Sequence, residues 1–252
     1  MCELLGMSAN VPTDIRFSFS GLAVRGGQSG PHRDGFGVVF YRGKGIQEFR
    51  DDAASCQSPV ADLVQALPIR STAVIAHVRQ ANAGAVNLEN THPFHREFMG
   101  RHFTFAHNGQ LPGVKKLRLG RFRPIGTTDS EHAFCYLMAE LERFDRLPTV
   151  AQVKAAFGRA AKVLSGYGVC NLLLSDGRAL YCWRTSKLVS ITRRAPFGAA
   201  RLEDADMTVD FAQVTTPKDV VTVVATAPLT DNECWTELPL KRACVLRAGE
   251  WH

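Results

Sequence analysis

Cys2 stands directly behind the initiator Met1. Methionine aminopeptidases generally act where the second side chain is small, and cysteine qualifies. Removing Met1 would leave a residue carrying both a thiol and a free α-amine. In model peptides these titrate near ~8.5 and ~7.7–8.0, so the amine can take the thiol proton directly or through a water. That is a nucleophile with its own base, the cysteine counterpart of the N-terminal threonine arrangement. Taken alone, Cys2 is more simply a small residue at a frayed end.

Three further features could complete a site. Asn108 and Gly109 follow an alternating apolar stretch, RHFTFAH (101–107). At the tip of a strand, an Asn amide and a Gly N–H can converge as an oxyanion hole. Asn-Gly is also the commonest tight-turn dipeptide. Arg79 ends the β-branched run STAVIAHVR (71–79), where its guanidinium could hold a carboxylate in a bidentate grip. An internal ion pair would explain it as well. Asp129, in GTTDSEH (126–132), falls in the first turn of an expected helix. Its charge suits the helix dipole there and could equally bind an ammonium.

Two other groups read as less specific. His92, His95, His102 and His107 match no common ligand spacing, so they are expected to be structural, and neither a metal nor a cofactor is expected. The run KKLRLGRFR (115–123) holds five cations, but nucleic-acid binding would need it exposed beside stacking aromatics. A solvated loop or docking surface is the simpler expectation.

The elements that must position these residues run strands first, helices in the middle and strands again. GVVFY (37–41) and IQEF, joined by RGKG, suggest a hairpin, and PVADLVQAL (59–67) a short helix. From Asp129 onward Ala133, Phe134, Leu137, Met138 and Leu141 recur at helical spacing, and Thr128 with Glu131 has the spacing of a capping box. A second helix, roughly 150–165, carries Val153, Phe157, Ala160 and Leu164 on one stripe. NLLLSDGRALYCW is a hairpin turning at Asp176-Gly177, and DVVTVVATA (219–227) and CVLRAG (244–249) are closing strands. With no repeat or linker, the expectation is one domain spanning 1–252, of α+β class with helices packed on sheets.

Composition agrees with a globular chain: 252 residues, 45% hydrophobic, 21% charged, net charge +6. Seven cysteines without a CxxC pair argue against a disulfide framework. No signal-peptide pattern and no apolar run near the ~20 residues of a bilayer span is present, so a cytoplasmic location is expected.

Together the four features form one requirement list: an attacking thiol, an oxyanion hole, a carboxylate grip and an ammonium grip. Glutamine or a γ-glutamyl compound satisfies it. The chain resembles the class II glutamine amidotransferases, which are N-terminal-nucleophile hydrolases, and especially the stand-alone YafJ type without a fused synthetase. The resemblance runs through MC, DGFG (34–37), HVRQA (77–81), LENTHPF (88–94), FAHNGQL (105–111), GTTDSEHAFC (126–135), NLLLSDGR (171–178), ITRRAPFG (191–198) and DVVTVVATAPLT (219–230). It implies a four-layer αββα sandwich. It also implies Cys2 as nucleophile after loss of Met1, Asn108 and Gly109 as oxyanion hole, Arg79 on the α-carboxylate and Asp129 on the α-ammonium. Synthetase-fused members carry RWATHG where this chain has RQANAG (79–84), so Gln80, Asn82 and Ala83 alter a flank of the implied pocket. The expected activity is release of ammonia from the glutamine side chain, alone or for a separate synthetase subunit. The alternatives are cleavage of a γ-glutamyl amide or peptide, and a non-catalytic subunit that binds a γ-glutamyl ligand or a partner. Oligomeric state and acceptor are not read from the sequence.

Overall fold

In the computed structural model, which describes residues 2–81 and 84–252, two antiparallel sheets lie face to face and each carries a pair of helices on its outer side. The expectations placed on Met1, Asn82 and Ala83 lie outside the described residues. Along the chain come β1 (Glu3–Asp14), α1 (Arg16–Val24), β2 (Phe36–Arg42), β3 (Gly45–Asp51), α2 (Pro59–Ala66) and β4 (Arg70–Val78). They are followed by β5 (Phe94–Phe98), β6 (Arg101–Gln110), α3 (Asp129–Leu141), α4 (Val150–Leu164), β7 (Val169–Ser175) and β8 (Leu180–Trp183). The chain closes with β9 (Val189–Arg194), β10 (Ala199–Arg201), β11 (Thr208–Asp210), β12 (Val220–Ala225), β13 (Thr236–Glu237), β14 (Cys244–Arg247) and β15 (Glu250–Trp251). One sheet has the order β13-β9-β12-β1-β4-β2-β3 and the other β15-β14-β8-β7-β6-β5, with β10 and β11 as a separate hairpin.

Alternation along the strands sorts side chains into three cores. In β1, Leu5 and Met7 face α1 and α2, where Phe19, Leu22, Ala61 and Val64 pack. Leu4 faces the other sheet and meets Ala106, Leu173 and Leu180. Gly6 lies where the sheets face each other: a Cβ there would sit 2.8 Å from the Leu180 side chain and 3.1 Å from that of Leu173, so those side chains would have to shift. On the far side, Phe105 of β6 stacks on Phe134 of α3 at 5.1 Å between ring centroids. Burying one such ring contributes about 1.5–3 kcal/mol. The result is the four-layer αββα sandwich.

The expected helices at 59–67, from Asp129 and at 150–165, and the expected strands and hairpins, are all present, with bounds within a residue or two except for β6, which runs three residues past the expected end at His107. Eight elements go beyond the sequence expectation: β1, α1, β5, β9, β10, β11, β13 and β15. β1 begins at Glu3, and α1 is buried from Phe17 through Ala23, so it lacks the polar face that would give helical periodicity. The capping expectation at α3 holds in one arm only. Thr128 Oγ1 accepts from Glu131 N at 3.1 Å. The Glu131 carboxylate instead accepts from Ile125 N and Gly126 N, at 3.0 and 2.7 Å, and pairs with Arg96. A full capping box occurs at α4, between Thr149 and Gln152.

Candidate active site

Four of the five singled-out residues line one cleft of about 760 Å³: Cys2, Arg79, Gly109 and Asp129. Asn108 is fully buried beside them, its amide donating to the carbonyl oxygen of Cys2.

Strand register brings the first pair together. β1 and β4 are antiparallel with Glu3 opposite Val78, so Cys2 lies next to the segment that leaves β4. Gln80 N donates to Cys2 Sγ at 3.4 Å, and Sγ donates to Gln80 O at 3.5 Å. Burial pushes the thiol up from its ordinary value, against the opposing pull of the Gln80 backbone and the Arg79 charge. The Arg79 side chain is 3% exposed, and its guanidinium donates to Ala85 O from both terminal nitrogens at 3.1 Å. The DGFG turn holds this segment. Arg79 N donates to Gly35 O at 2.8 Å, Asp34 N donates to Arg79 O at 3.1 Å, and Asp34 Oδ2 accepts from Ala81 N at 2.7 Å.

Asn108 and Gly109 are not a turn. β6 continues through them to Gln110, and they pair with Asn171 and Cys170 of β7. Gly109 has φ +151°, and a Cβ there would collide with the carbonyl oxygen of Val169. Glycine is therefore required by a close approach of two strands. Among the described residues, Cys2 O is the sole acceptor of the Asn108 amide, which leaves its second N–H free.

Asp129 opens α3 and is held by the backbone. Its Oδ2 accepts from Leu111 N at 2.7 Å and its Oδ1 from Ser130 N at 2.8 Å. Beside it, His107 Nδ1 lies 2.8 Å from Ser130 Oγ, and His107 Nε2 lies 3.1 Å from Val169 O. A carbonyl only accepts, so Nε2 carries the proton and Ser130 donates to Nδ1. Burial lowers this imidazole's pKa, which keeps it neutral.

Other positioning groups had no signal by type or spacing alone. Asn90, inside LENTHPF, is fully buried and ties Arg79's partner to the start of α3. Its amide donates to Ala85 O at 3.1 Å and accepts from Thr127 N at 2.7 Å. His92 lines the cleft and stacks on His77 at 4.2 Å between centroids; burial holds His77 neutral, with its pKa near 3. Among the described residues no group of three or more His, Cys, Asp or Glu could hold a metal ion.

The basic run starts in a short 3₁₀ turn, Val114–Lys116, beside the cleft and continues as a loop. Lys115 and Lys116 line the cleft, and Lys115 Nζ donates to Thr127 O at 2.7 Å. Arg121 pairs with Glu142 at 3.1 Å and lies over the rings of Phe98 and Phe122, at 5.3 and 5.0 Å. Among the described residues no helix is long and apolar enough to cross a membrane.

Comparison with known proteins places the chain among relatives of one kind. The family described as "Glutamine amidotransferases class-II" matches residues 1–252. An Escherichia coli (strain K12) protein named "Putative glutamine amidotransferase YafJ" is 55% identical over 253 residues, covering 100% of this chain and 96% of that one. A Haemophilus influenzae relative, "Putative glutamine amidotransferase", is 43% identical over 239 residues, covering 94% and 81%. A crystal structure described as a predicted glutamine amidotransferase from Pseudomonas aeruginosa PA01 has TM-score 0.80 at 50% identity, covering 99% of both chains. The glutamine phosphoribosylpyrophosphate amidotransferase of B. subtilis has TM-score 0.63 at 15% identity. This chain covers 48% of it, a likeness of fold alone.

Proposed function

The chain belongs to the class II glutamine amidotransferases, an enzyme family, and from that premise we propose that it releases ammonia from the side-chain amide of glutamine through a thioester on Cys2. The observation that carries this reading is the convergence of Cys2, Arg79, Gly109 and Asp129 on one cleft, with the Asn108 amide beside the nucleophile. In the proposed cycle Met1 is first removed, and the freed amine accepts the thiol proton. The sulfur then attacks the δ-carbonyl carbon. The developing oxyanion takes the free N–H of Asn108 and the N–H of Gly109. The C–N bond breaks as the amine returns its proton to the leaving nitrogen, and ammonia departs. Water adds to the γ-glutamyl thioester, releasing glutamate and the thiol. Arg79 holds the α-carboxylate and Asp129 the α-ammonium, which fixes the δ-amide against sulfur.

The chain works as a single domain in this reading, and a separate synthetase subunit is the partner that would consume the ammonia. Seven free thiols fit a reducing cytoplasm. A second reading keeps the chemistry and enlarges the leaving group. Lys115 and Lys116 line the same cleft, which favours an anionic amine such as that of a γ-glutamyl peptide.

The test is intact mass after incubation with a diazoketone analogue of glutamine, a thiol trap. Loss of Met1 with one adduct on Cys2, blocked by excess glutamine, is the expected result. A Met1-free chain that stays unlabelled while a γ-glutamyl peptide is turned over selects the second reading. Unchanged turnover in Cys2→Ala overturns both, and a Met1-free parent that turns over neither substrate, with ligand binding unchanged in Cys2→Ala, leaves a non-catalytic binding role.

A further inference from the structure

Asn171 of β7 is fully buried, opposite Asn108 in the sheet register. Its side-chain oxygen receives three backbone N–H groups from the turn after β8: Thr185 and Ser186 at 3.0 Å each and Lys187 at 3.3 Å. Backbone N–H groups only donate, so the atom they surround is the oxygen, and the amide orientation of Asn171 is determined by heavy-atom positions alone. Its nitrogen must then point the other way. It donates one N–H to Ser186 Oγ at 2.8 Å and shares the other between the backbone oxygen and Oδ1 of Asn108, both at 3.3 Å.

The consequence passes along one more link. Asn171 presents a donor to Asn108 Oδ1, and together with the Cys2 carbonyl, which only accepts, it holds the Asn108 amide with its oxygen toward Asn171 and its NH2 group toward Cys2. One N–H of that group is taken by Cys2 O, and the second is the only side-chain donor Asn108 has left for an oxyanion. We propose that Asn171 is a positioning residue for the acyl-transfer step: the 185–187 turn fixes its amide, and its amide fixes the donor face of Asn108. This rests on the thioester reading above. Asn171 does not touch substrate and acts only through Asn108.

The proposal separates two properties that a merely structural residue would affect together. Stabilising a tetrahedral oxyanion requires the Asn108 donor, whereas alkylation of the thiol by iodoacetamide forms no oxyanion and does not require it. Asn171→Asp is the sharpest variant. It keeps the shape, and a carboxylate accepts the three backbone N–H groups well. It also sets an oxygen against Asn108 Oδ1, so the Asn108 amide either flips or moves away.

The experiment uses the full, Met1-free chain. Steady-state glutamine hydrolysis, the rate of Cys2 alkylation by iodoacetamide and the melting temperature are compared for the parent and N171D. The expected result is a fall in kcat of about 10²–10³-fold, the loss seen when one oxyanion donor is removed. KM should stay within about threefold, with alkylation unchanged. A kcat within about threefold of the parent overturns the proposal. So does a parallel fall in kcat, alkylation rate and melting temperature, which is what loss of packing would give. If N171D does not fold, Asn171→Ser carries the same requirements, since it removes the amide without introducing charge. A parent that hydrolyses neither glutamine nor a γ-glutamyl amide, and takes no diazoketone adduct, defeats the thioester reading itself. That outcome is distinct from a competent parent whose N171D variant is equally active.

Discussion

Replacing Asp129 by Asn tests the amino-acid end of the cleft with the least change of shape. Both carboxylate oxygens are engaged by backbone N–H groups, Oδ2 by Leu111 at 2.7 Å and Oδ1 by Ser130 at 2.8 Å. This leaves their remaining lone pairs for a cationic ligand. In Asp129→Asn one oxygen becomes an NH2 group. It must oppose a backbone N–H or turn its donors toward the incoming ammonium, and in either case a charged acceptor is lost. A hydrogen bond to a charged group contributes about 1.5–3 kcal/mol. At ~1.4 kcal/mol per tenfold, the KM for glutamine should rise roughly 10- to 150-fold. The reacting amide is at the other end of the substrate, so kcat should change far less. The assay is steady-state release of glutamate or ammonia, run with glutamine and with its analogue lacking the α-amino group. The parent should prefer glutamine by about the same factor that D129N loses, so the variant should treat the two substrates alike. A variant that keeps the parent's preference would refute the assignment of Asp129 to the ammonium. The stability effect is small: loss of a charge at the start of α3 removes only ~0.3–1 kcal/mol of dipole interaction.

Two further outcomes follow from the same geometry. Gly109→Ala forces a Cβ against Val169 O at φ +151°, so β6 and β7 must part where Asn108 meets Asn171. Turnover should fall below detection and the melting temperature should drop by several degrees; a soluble, active G109A would show that the strand spacing is not required. Burial raises the Cys2 thiol while Met1 is attached. The thiolate is the reacting form, so alkylation of the Met1-retaining chain should rise through a midpoint above the ~8.5 of a free cysteine. Loss of Met1 should move that midpoint down by exposing the α-amine, and identical profiles for the two forms would remove the amine from the mechanism.

The amphipathic helices and apolar strands were legible because one period of side chains buries one face. Val153, Phe157, Ala160 and Leu164 declare α4, and STAVIAHVR declares β4. α1 was not legible, since a helix buried from Phe17 to Ala23 has no polar face to mark its period. The candidate residues that meet at the cleft were picked out by type and by motif, yet two meanings could not be separated from sequence. Asn108-Gly109 reads as a turn until Cys170 and Asn171 are seen pairing with it. The capping spacing of Thr128 and Glu131 was present, but Arg96, distant in sequence, draws the Glu131 carboxylate away. Asn90 and Asn171 were invisible as positioning groups, because a buried Asn is defined by what its amide bonds and not by its neighbours in the chain.

The convergence itself follows from topology. β1 starts where β4 ends because the two are antiparallel neighbours, which brings Cys2 to Arg79 and Gln80 without any side-chain contact being needed. β6 lies in the other sheet, and its last residues reach the same end of the sandwich, so Asn108 meets Cys2 across the gap between the sheets. The chain then leaves β6 and returns to open α3 at Asp129, whose carboxylate bonds back to Leu111, one residue past the end of that strand. Each candidate side chain therefore sits at or beside the end of a strand or helix whose remaining length is buried in one of the cores. Distances within the cleft are set by sheet spacing and register, which are stiff. Gln80, Ala81 and Gly84 line the cleft, and the sequence 79–84 carries the departure from the synthetase-fused pattern. In the proposed reading, a change at Gln80 or Ala81 alters what enters the cleft while the proposed nucleophile, oxyanion donors and ammonium grip stay in register, so substrate range can diverge while the proposed acyl-transfer geometry is held.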